Sequence, residues 1–460
     1  MPLGDVADAT IGKTPRRADY RDTGRYRIVK YRDLAANGLD FGETKDAYVV
    51  DEPSALRGLR GLESGDILIG ASGHDGSTVG RKLALVDQLP GADSDPTFFV
   101  GELLRIRPRT SETDSRWLLH YFSSAEGFRA LQHAVSGGHL TNGRARQIPV
   151  PMAPPDVQES LSDLLDGVRG RAASASKHLA GAGLKIERFR QAILAAACSG
   201  RLTTDWRDVN SGVEHGGALA ERSRQELAAR GRRTSAAEQV AVPDWLSLPD
   251  SWSWSPLRDL AEIRAGIQKQ PKRTPMGNDF PYLRVANVRR GRLNLSEVHR
   301  FELFEGELQK YRLEPGDLLV VEGNGSANEI GRCALWNGEI PNCVHQNHII
   351  RARFIEMLPR FVELFWNSPI ASREIASLAV TSAGLYSLSA RKIGSVPIPV
   401  APLDEQSEVV RRVDELLAVA HLLAGRVERA ARRFELSSQA ILAKVFRGEL
   451  AMSGAVFRDE

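Results

Sequence analysis

An internal duplication constrains this chain more than any other feature, because a sequence that repeats predicts two similar structural units. The matching pieces are Leu3–Ala7 with Leu257–Ala261, Leu62–Ile69 with Leu313–Val320, Gly80-Arg81 with Gly331-Arg332, Leu104–Arg107 with Ile350–Arg353, Ile148–Pro151 with Val396–Pro399, Asp156–Gln158 with Asp404–Gln406, Gln191–Ala195 with Gln439–Ala443, and Gly200–Leu202 with Gly448–Leu450. The offset drifts from 254 residues at the first match to 248 at the last. From Ile148 to Leu202 it stays at 248, so this part of the repeat carries no net insertion and is expected to be rigid.

Each copy opens with a segment of mixed pattern, residues 1–150 and 245–400. Short apolar runs bounded by Gly, Pro and Asp predict strands, among them Asp66–Ile69, Leu103–Ile106 and Asp317–Val321. Helical spacing follows at Trp117–Leu131 and Phe361–Leu378. The pattern predicts an α+β domain in each copy.

Each domain is followed by a segment that reads as one long helix, 156–198 and 404–446, within helical regions assigned to 151–206 and 401–453. Proline-rich turns precede both helices, Asp156 and Asp404 suit their first turns, and Gly200 and Gly448 suit their C-terminal caps.

Apolar residues recur along both helices in alternating steps of three and four, which is the pattern of a coiled coil. We therefore expect the helices to pair as an antiparallel coiled coil; the alternative is that each packs on its own domain. The larger side chains of the predicted seam are Leu161, Leu165, Leu179, Ile186, Phe189, Ile193, Val409, Val413, Leu416, Leu423, Val427, Phe434 and Ile441.

Residues 207–244 have no counterpart in the repeat and are interpreted as a linker, with an exposed helix near Ala218–Arg230. Trp252 and Trp254 then open the second domain, whereas the first domain lacks such a pair.

Composition excludes several classes of protein. No stretch approaches the ~20 apolar residues of a membrane helix, and the N-terminus has no signal-peptide pattern. The three cysteines, Cys198, Cys333 and Cys343, exclude a disulfide framework and suggest a reducing cytoplasm. The net charge of +3 neither requires nor excludes a nucleic-acid partner.

Motifs of catalysis are weak or missing. Gly12-Lys13-Thr14 matches a loose phosphate loop, but the first glycine is absent and proline follows. A stand-alone ATPase using Lys13 and Thr14 is therefore an unfavoured alternative. Cys333, Cys343, His345 and His348 have poor spacing for zinc and are better explained as structural strand residues, so we expect no metal site and no catalytic residues.

The order of domain, proline-rich turn and long helix, occurring twice, resembles the specificity (S) subunit of type I restriction–modification enzymes. The resemblance includes Ile398–Gln406, Gln439–Ala443, Gly448–Leu450 and the opening Leu248–Trp254 of the second domain. One departure is that Met1-Pro2 replace the usual aromatic opening of the first domain.

This resemblance implies a cytoplasmic, non-catalytic subunit for phage defence and DNA methylation. Each α/β domain would be a target recognition domain that reads one half of a bipartite, asymmetric site in double-stranded DNA. The paired helices would set the spacing and bind two methyltransferase (M) subunits, with restriction (R) subunits joining the assembly. No cofactor is expected in this chain, whereas S-adenosylmethionine, ATP and Mg would belong to partner subunits. An alternative is a specificity-type DNA-reading subunit of another phage-defence complex.

Polar, glycine-containing loops are the candidate DNA contacts, because they bring backbone and short side chains to base edges, while nearby cations suit phosphates. The candidates are Gly73, His74, Asp75, Ser77, His139, Thr141, Asn142, Arg144 and Arg146 in the first domain, and Asn324, Ser326, Asn328, Tyr386, Ser387, Arg391 and Lys392 in the second. Further candidates near the domain starts are Arg16, Arg17, Lys272 and Arg273.

Overall fold

A computed structural model of the chain describes residues 1–35, 38–73, 77–89, 95–232, 234, 246–324, 329–382 and 385–450. For residues 324, 380–382, 385 and 386 the backbone alone is described. The chain divides into a first unit, Met1–Ala180 with Glu428–Glu460, and a second unit, Gly181–Val427.

The helices and strands follow the duplication. The α-helices are α1 (Leu3–Val6), α2 (Pro53–Leu56), α3 (Ser115–Ser123), α4 (Ala125–Ala134), α5 (Asn142–Arg146), α6 (Pro155–Cys198), α7 (Thr204–Val209), α8 (Gly216–Ala229), α9 (Leu257–Leu260), α10 (Glu307–Tyr311), α11 (Pro359–Trp366), α12 (Pro369–Leu378), α13 (Ala390–Ser395) and α14 (Leu403–Phe446). The strands are β1 (Ala7–Ile11), β2 (Tyr20–Arg21), β3 (Tyr26–Val29), β4 (Leu34–Ala35), β5 (Gly38–Leu39), β6 (Tyr48–Val49), β7 (Ile67–Gly70), β8 (Leu83–Leu85), β9 (Phe98–Phe99), β10 (Leu103–Pro108), β11 (Ser253–Pro256), β12 (Ala261–Ala265), β13 (Asp279–Leu283), β14 (Val288–Arg289), β15 (Arg292–Leu293), β16 (His299–Glu302), β17 (Asp317–Val321), β18 (Gly323–Asn324), β19 (Cys333–Trp336), β20 (Val344–His345), β21 (Ile349–Phe354), β22 (Val380–Ser382), β23 (Leu385–Ser387) and β24 (Pro397–Val400).

Each unit is built on an antiparallel four-stranded sheet of the same strand order. The order is β1-β10-β7-β8 in the first unit and β12-β21-β17-β19 in the second. Side chains of β17 alternate between two cores: Leu318 and Val320 face one, and Leu319 and Val321 face the other. Burial on both faces explains why the central strands are continuous apolar runs.

An ion pair joins neighbouring strands at the same place in both sheets. Arg107 on β10 donates to both carboxylate oxygens of Asp66, at 2.6 and 2.7 Å, and Arg353 on β21 does the same to Asp317, at 2.7 and 2.8 Å. Both aspartates also accept a backbone N–H from the turn before their strand.

The segment with helical spacing in each domain forms two helices in the structure. Ser124 accepts a hydrogen bond from the Gly127 N–H and so begins α4, and Ser368 caps α12 in the same way. Pro369 also prevents α11 from continuing. The helical spacing of each segment therefore belongs to two consecutive helices, because the apolar spacing continues across the break.

Both long helices form as predicted, with 44 residues each, and Gly200 and Gly448 follow them at φ 71°. The first unit buries Leu161 near the start of α6 in one core with Leu442 near the end of α14. The second unit buries Ile193 near the end of α6 in one core with Val409 near the start of α14. The helices are therefore antiparallel, and their ends are also part of the domain cores.

Burial departs from the predicted seam in the middle of the helices. Leu161, Leu165, Ile193, Val409 and Val413 are buried, whereas Phe189, Leu423 and Phe434 are 42%, 40% and 46% exposed. A 3.6-residue helix drifts by about 20° per heptad from a strict 3.5-residue repeat, so a seam extended over 44 residues leaves the buried face. The seam prediction is corrected for these three residues. The remaining seam residues, Leu179, Ile186, Leu416, Val427 and Ile441, are partly buried.

A glutamine attaches each domain to the start of its long helix. The Gln158 side chain accepts from the Asp114 N–H at 3.0 Å and donates to the Ala153 carbonyl at 2.7 Å. Gln406, its counterpart in the repeat, accepts from the Leu358 N–H at 2.9 Å and donates to the Ala401 carbonyl at 2.8 Å. An Arg116–Asp166 ion pair at 3.2 Å and an Arg360–Asp414 pair at 2.7 Å reinforce the two joints.

The segment after α6 is more than a linker. Leu219 and Leu227 of α8 are buried, and α8 packs against α9, β11 and β24 of the second unit. The expectation of an exposed helix there was wrong, because the mean composition of the segment hides its one apolar face.

Candidate nucleic-acid interface

The two predicted loops of the first domain come together in the structure. Ser72 forms an isolated antiparallel bridge with His139, and the Gly73 N–H donates to the Gly138 carbonyl at 3.2 Å. The Leu140 N–H completes the contact on the Ala71 carbonyl at 2.9 Å. Residues far apart in the sequence therefore form one surface where β7 ends.

The second domain repeats this arrangement as a short ladder. Gly323 of β18 pairs with Ser387 of β23, Asn324 pairs with Tyr386, and the Leu388 N–H donates to the Glu322 carbonyl at 2.7 Å. The ladder begins where β17 ends, which is the position that the first-domain loops occupy beside β7. We call this position the loop end of each sheet.

A short helix follows the second loop in both units. Thr141 caps α5 by accepting from the Arg144 N–H, and Ser389 caps α13 by accepting from the Lys392 N–H, both at 3.4 Å. Arg144 on α5 and Arg391 on α13 are exposed, so their guanidinium groups are accessible to an anion.

Several candidate side chains already have partners within the protein. Asn142 Oδ1 accepts the Ile11 N–H at 2.7 Å, and Lys392 Nζ donates to the Leu378 carbonyl at 2.7 Å. Arg146 lies 3.5 Å from Asp8. Partial burial acts to raise the pKa of Asp8, but hydrogen bonds from Thr10 and Arg105 hold that pKa below its ordinary value. These contacts position the loops. They also leave the side chains with fewer hydrogen-bonding groups available for DNA.

The prediction for Arg273 does not agree with the structure. Arg273 is 8% exposed, and its guanidinium donates to both carboxylate oxygens of Glu307 at 2.7 and 2.8 Å. Because this arginine is buried and paired, we withdraw it as a phosphate ligand. Lys272, Arg16 and Arg17 are exposed and stay predictions.

Other candidates can be placed only in part. His74, Asp75, Ser326 and Asn328 lie outside the described residues, and Asn324 and Tyr386 are described by their backbone alone. Gly73, Ser77, His139 and Ser387 lie at the loop ends.

The phosphate-loop alternative lacks its required geometry. Thr14 is followed by a three-residue 3-10 helix, Arg17–Asp19, rather than by an α-helix. Lys13 Nζ donates to the Arg57 carbonyl at 2.8 Å, and Thr14 Oγ1 accepts the Gly101 N–H at 3.0 Å. The motif is a structural loop.

The cysteines and histidine near β20 belong to the fold. Cys333 and Cys343 are fully buried, and complete burial lowers the pKa of His345 to about 3 while its Nδ1 lies 3.0 Å from the Ile349 carbonyl. Across the described residues, no group of three or more His, Cys, Asp or Glu side chains could hold a metal ion. No helix in that part of the chain has the length and apolarity needed to cross a bilayer.

The sequence interpretation missed a basic hairpin in the second domain. β14 and β15 pair directly, with Arg289 opposite Arg292 and Gly291 at φ 68° in the turn between them. The sequence signal is the run Arg289-Arg290-Gly291-Arg292, a basic cluster around a turn glycine.

Comparison with known proteins agrees with the duplicated architecture. The chain is 28% identical over 423 residues to the EcoKI specificity subunit of Escherichia coli K12, covering 91% of this chain and 82% of that protein. It is 27% identical over 425 residues to the StySPI specificity subunit of Salmonella potsdam, with the same two coverages. This chain is a relative of the type I restriction specificity subunits. No protein-family model matches it.

Solved structures show that this specificity-subunit fold extends through the chain. A chain of a type I R-M system superimposes with a TM-score of 0.66 at 17% identity, covering 98% of this chain and 97% of its own length. The HsdS subunit from Thermoanaerobacter tengcongensis gives a TM-score of 0.50 at 18% identity, with coverages of 98% and 96%. The fold is therefore confirmed as two α/β domains with two long paired helices.

Proposed function

We propose that this chain is the DNA specificity subunit of a type I restriction–modification complex. Each recognition domain reads one half of a bipartite, asymmetric site in double-stranded DNA. The observation that carries this proposal is that the same sheet and loop pairing occur twice with different loop residues. In the first domain Ser72 pairs with His139. At the same position in the second domain Gly323 pairs with Ser387. A common scaffold with unlike loops suits two unlike half-sites.

The exposed loop residues are the proposed DNA contacts. His139, Arg144, Ser387 and Arg391 lie at or directly after the loop ends. A histidine or serine can hydrogen-bond base edges, and an exposed arginine suits guanine or phosphate.

The two long helices are proposed to set the number of unread base pairs between the half-sites. Each has 44 residues, which corresponds to about 65 Å at 1.5 Å per residue. Residues of each helix belong to both units. A stiff connection of fixed length would keep the spacing constant.

Methyltransferase subunits are the proposed partners of the helices, and restriction subunits would join that assembly. In the second unit, Leu184 is 65% exposed and Val419 and Leu422 are each 51% exposed. In the first unit Leu436 is 63% exposed. Contiguous apolar side chains exposed on one helix face, such as Val419 and Leu422, suit a surface that another protein covers. In this proposal the chain supplies recognition, and its partners supply the chemistry and hold S-adenosylmethionine, ATP and Mg.

Methylation mapping tests the proposal. The chain is expressed with its methyltransferase subunits, and the methylated adenines of genomic DNA are mapped by sequencing. One split motif is expected. Replacing residues 1–150 by the same domain of a relative should change one half of the motif and leave the other half and the spacing unchanged.

The matched control replaces residues 245–400 and should change the opposite half. Methylation that is unaffected by both replacements would contradict the proposal. Leu422→Glu tests the partner surface: methyltransferase binding should fall while thermal stability is kept. The control His421→Glu introduces the same charge at an exposed position on another face of this helix and should leave binding unchanged.

A further inference from the structure

The basic hairpin β14–β15 distinguishes the second recognition domain from the first. The equivalent hairpin of the first domain, β4–β5, has the sequence Leu-Ala-Ala-Asn-Gly-Leu at 34–39 and carries no basic residue. In the second domain the equivalent residues, 288–293, include Arg289, Arg290 and Arg292. The two hairpins therefore have the same strand pairing, but only the hairpin of the second domain is positively charged.

The hairpin lies at the loop end of its sheet. The Gly291 N–H donates to the carbonyl of Cys333, the first residue of β19, at 2.8 Å. β17 ends at Val321 on the same end of the sheet, and the Gly323–Ser387 ladder begins there. A duplex contacted by the ladder therefore has the hairpin nearby.

Positive charge is concentrated around the hairpin. Arg289 and Arg292 are exposed, and within the described parts of the chain no carboxylate forms a salt bridge with either. Arg332 is 6% exposed and donates to the Val288 carbonyl at 2.7 Å and to the Val285 carbonyl at 3.0 Å.

Arg332 has one weak acidic neighbour, Glu329, at 3.9 Å. Burial lowers the pKa of Arg332, Glu329 acts in the opposite direction, and Arg289 and Arg290 lower this pKa further. Mutual repulsion among the arginines means that an anion bound at the hairpin would be stabilised by all of them.

We infer that the β14–β15 hairpin binds the phosphodiester backbone of DNA beside the half-site read by the second domain. This inference rests on the proposed function and adds a contact that contributes affinity without reading sequence. The second domain then has a salt-sensitive contact at this hairpin that the equivalent hairpin of the first domain does not supply.

The test uses the chain assembled with its methyltransferase subunits and duplex DNA of matched and scrambled sequence. The double variant Arg289→Gln/Arg292→Gln should raise Kd about tenfold or more on both duplexes. It should also make the slope of log K against log salt shallower by roughly two. The methylated motif should not change. Arg289→Lys/Arg292→Lys should keep the wild-type salt slope, because it keeps the charge.

The control variant is Lys310→Gln/Arg312→Gln. These exposed residues precede β17 and lie at the opposite end of the sheet, so their removal should leave the slope nearly unchanged. If the glutamine variant keeps the wild-type salt slope, this inference is overturned and the proposed function stands. A changed methylated motif would also overturn the inference, because it would indicate that the hairpin reads bases. A wild-type complex that binds neither duplex would overturn the proposed function and this inference together.

Discussion

The two units share their helix–domain joints but differ at the residue beside each joint glutamine. In the second unit this residue is Glu405, which is fully buried and accepts hydrogen bonds from Thr203 at 2.6 Å, from Trp252 Nε1 at 2.8 Å and from Arg207. In the first unit it is Val157, which packs partly buried against the core.

This difference shows that the second unit has a contact at this position that the first unit lacks. Glu405 connects three segments that are distant in sequence: the turn after α6, α7 and the opening of the second domain. Trp252 and Arg207 have no equivalents among the described residues of the first unit, so a buried carboxylate there would lack donors. A buried charge is tolerated only with such partners, which explains why valine stands at position 157.

The largest effect is expected from Glu405→Ala. Its loss leaves the Trp252 N–H without its acceptor and the Arg207 guanidinium without its carboxylate partner, and should destabilise the second unit by about 3–5 kcal/mol. Val157→Ala should cost the first unit only about 1 kcal/mol. Hydrogen exchange resolved by peptide measures each unit separately, and similar losses for the two variants would contradict the contrast.

A smaller and equal effect is expected at the joints themselves. Gln158→Ala and Gln406→Ala each leave a backbone N–H without its acceptor, at Asp114 and Leu358, which should cost about 1–3 kcal/mol. Urea titration followed by the same peptide-resolved exchange tests both. A large difference between the two variants would show that the joints are not equivalent.

The smallest effect is the pH dependence that His120 contributes to the first unit. His345, buried in the second unit with its pKa lowered to about 3, contributes a separate one. His120 on α3 is fully buried, and its Nε2 lies 3.0 Å from Asp166 Oδ1. In the second unit the equivalent residue is Leu364 on α11, four residues before the Ser368 cap of α12. Burial lowers the pKa of His120 below its ordinary 6.5. The folded state therefore disfavours the protonated ring, and the stability of the unit, complete above pH 6.5, falls as the pH drops through the folded pKa.

One proton limits this effect to about 1.4 kcal/mol per pH unit. His120→Leu should remove the dependence of the first unit between pH 7 and pH 5, as measured by peptide-resolved hydrogen exchange. The second unit should keep the dependence that His345 causes. His178→Leu, at an exposed position of α6, should leave it in place. An unchanged pH profile in the His120 variant would mean that other groups cause the acid sensitivity.

The sequence by itself determined the duplication, the two long helices and the strands at the centre of each sheet. These features depend on local spacing: the apolar run of β17 was predicted residue for residue, and the glycines at 200 and 448 marked the helix ends. Hydrophobic periodicity and backbone conformational preference act over a few residues, so a single sequence displays them.

Only the tertiary structure decided which distant residues meet. It brought Ser72 to His139 and Gly323 to Ser387, paired Arg273 with Glu307, gave Glu405 its three donors and left the middle of the helix seam exposed. The charge of Arg273 is visible in the sequence, but its availability to DNA depends on a carboxylate 34 residues away. Non-local contacts of this kind follow from how the whole chain packs, and no local pattern encodes them.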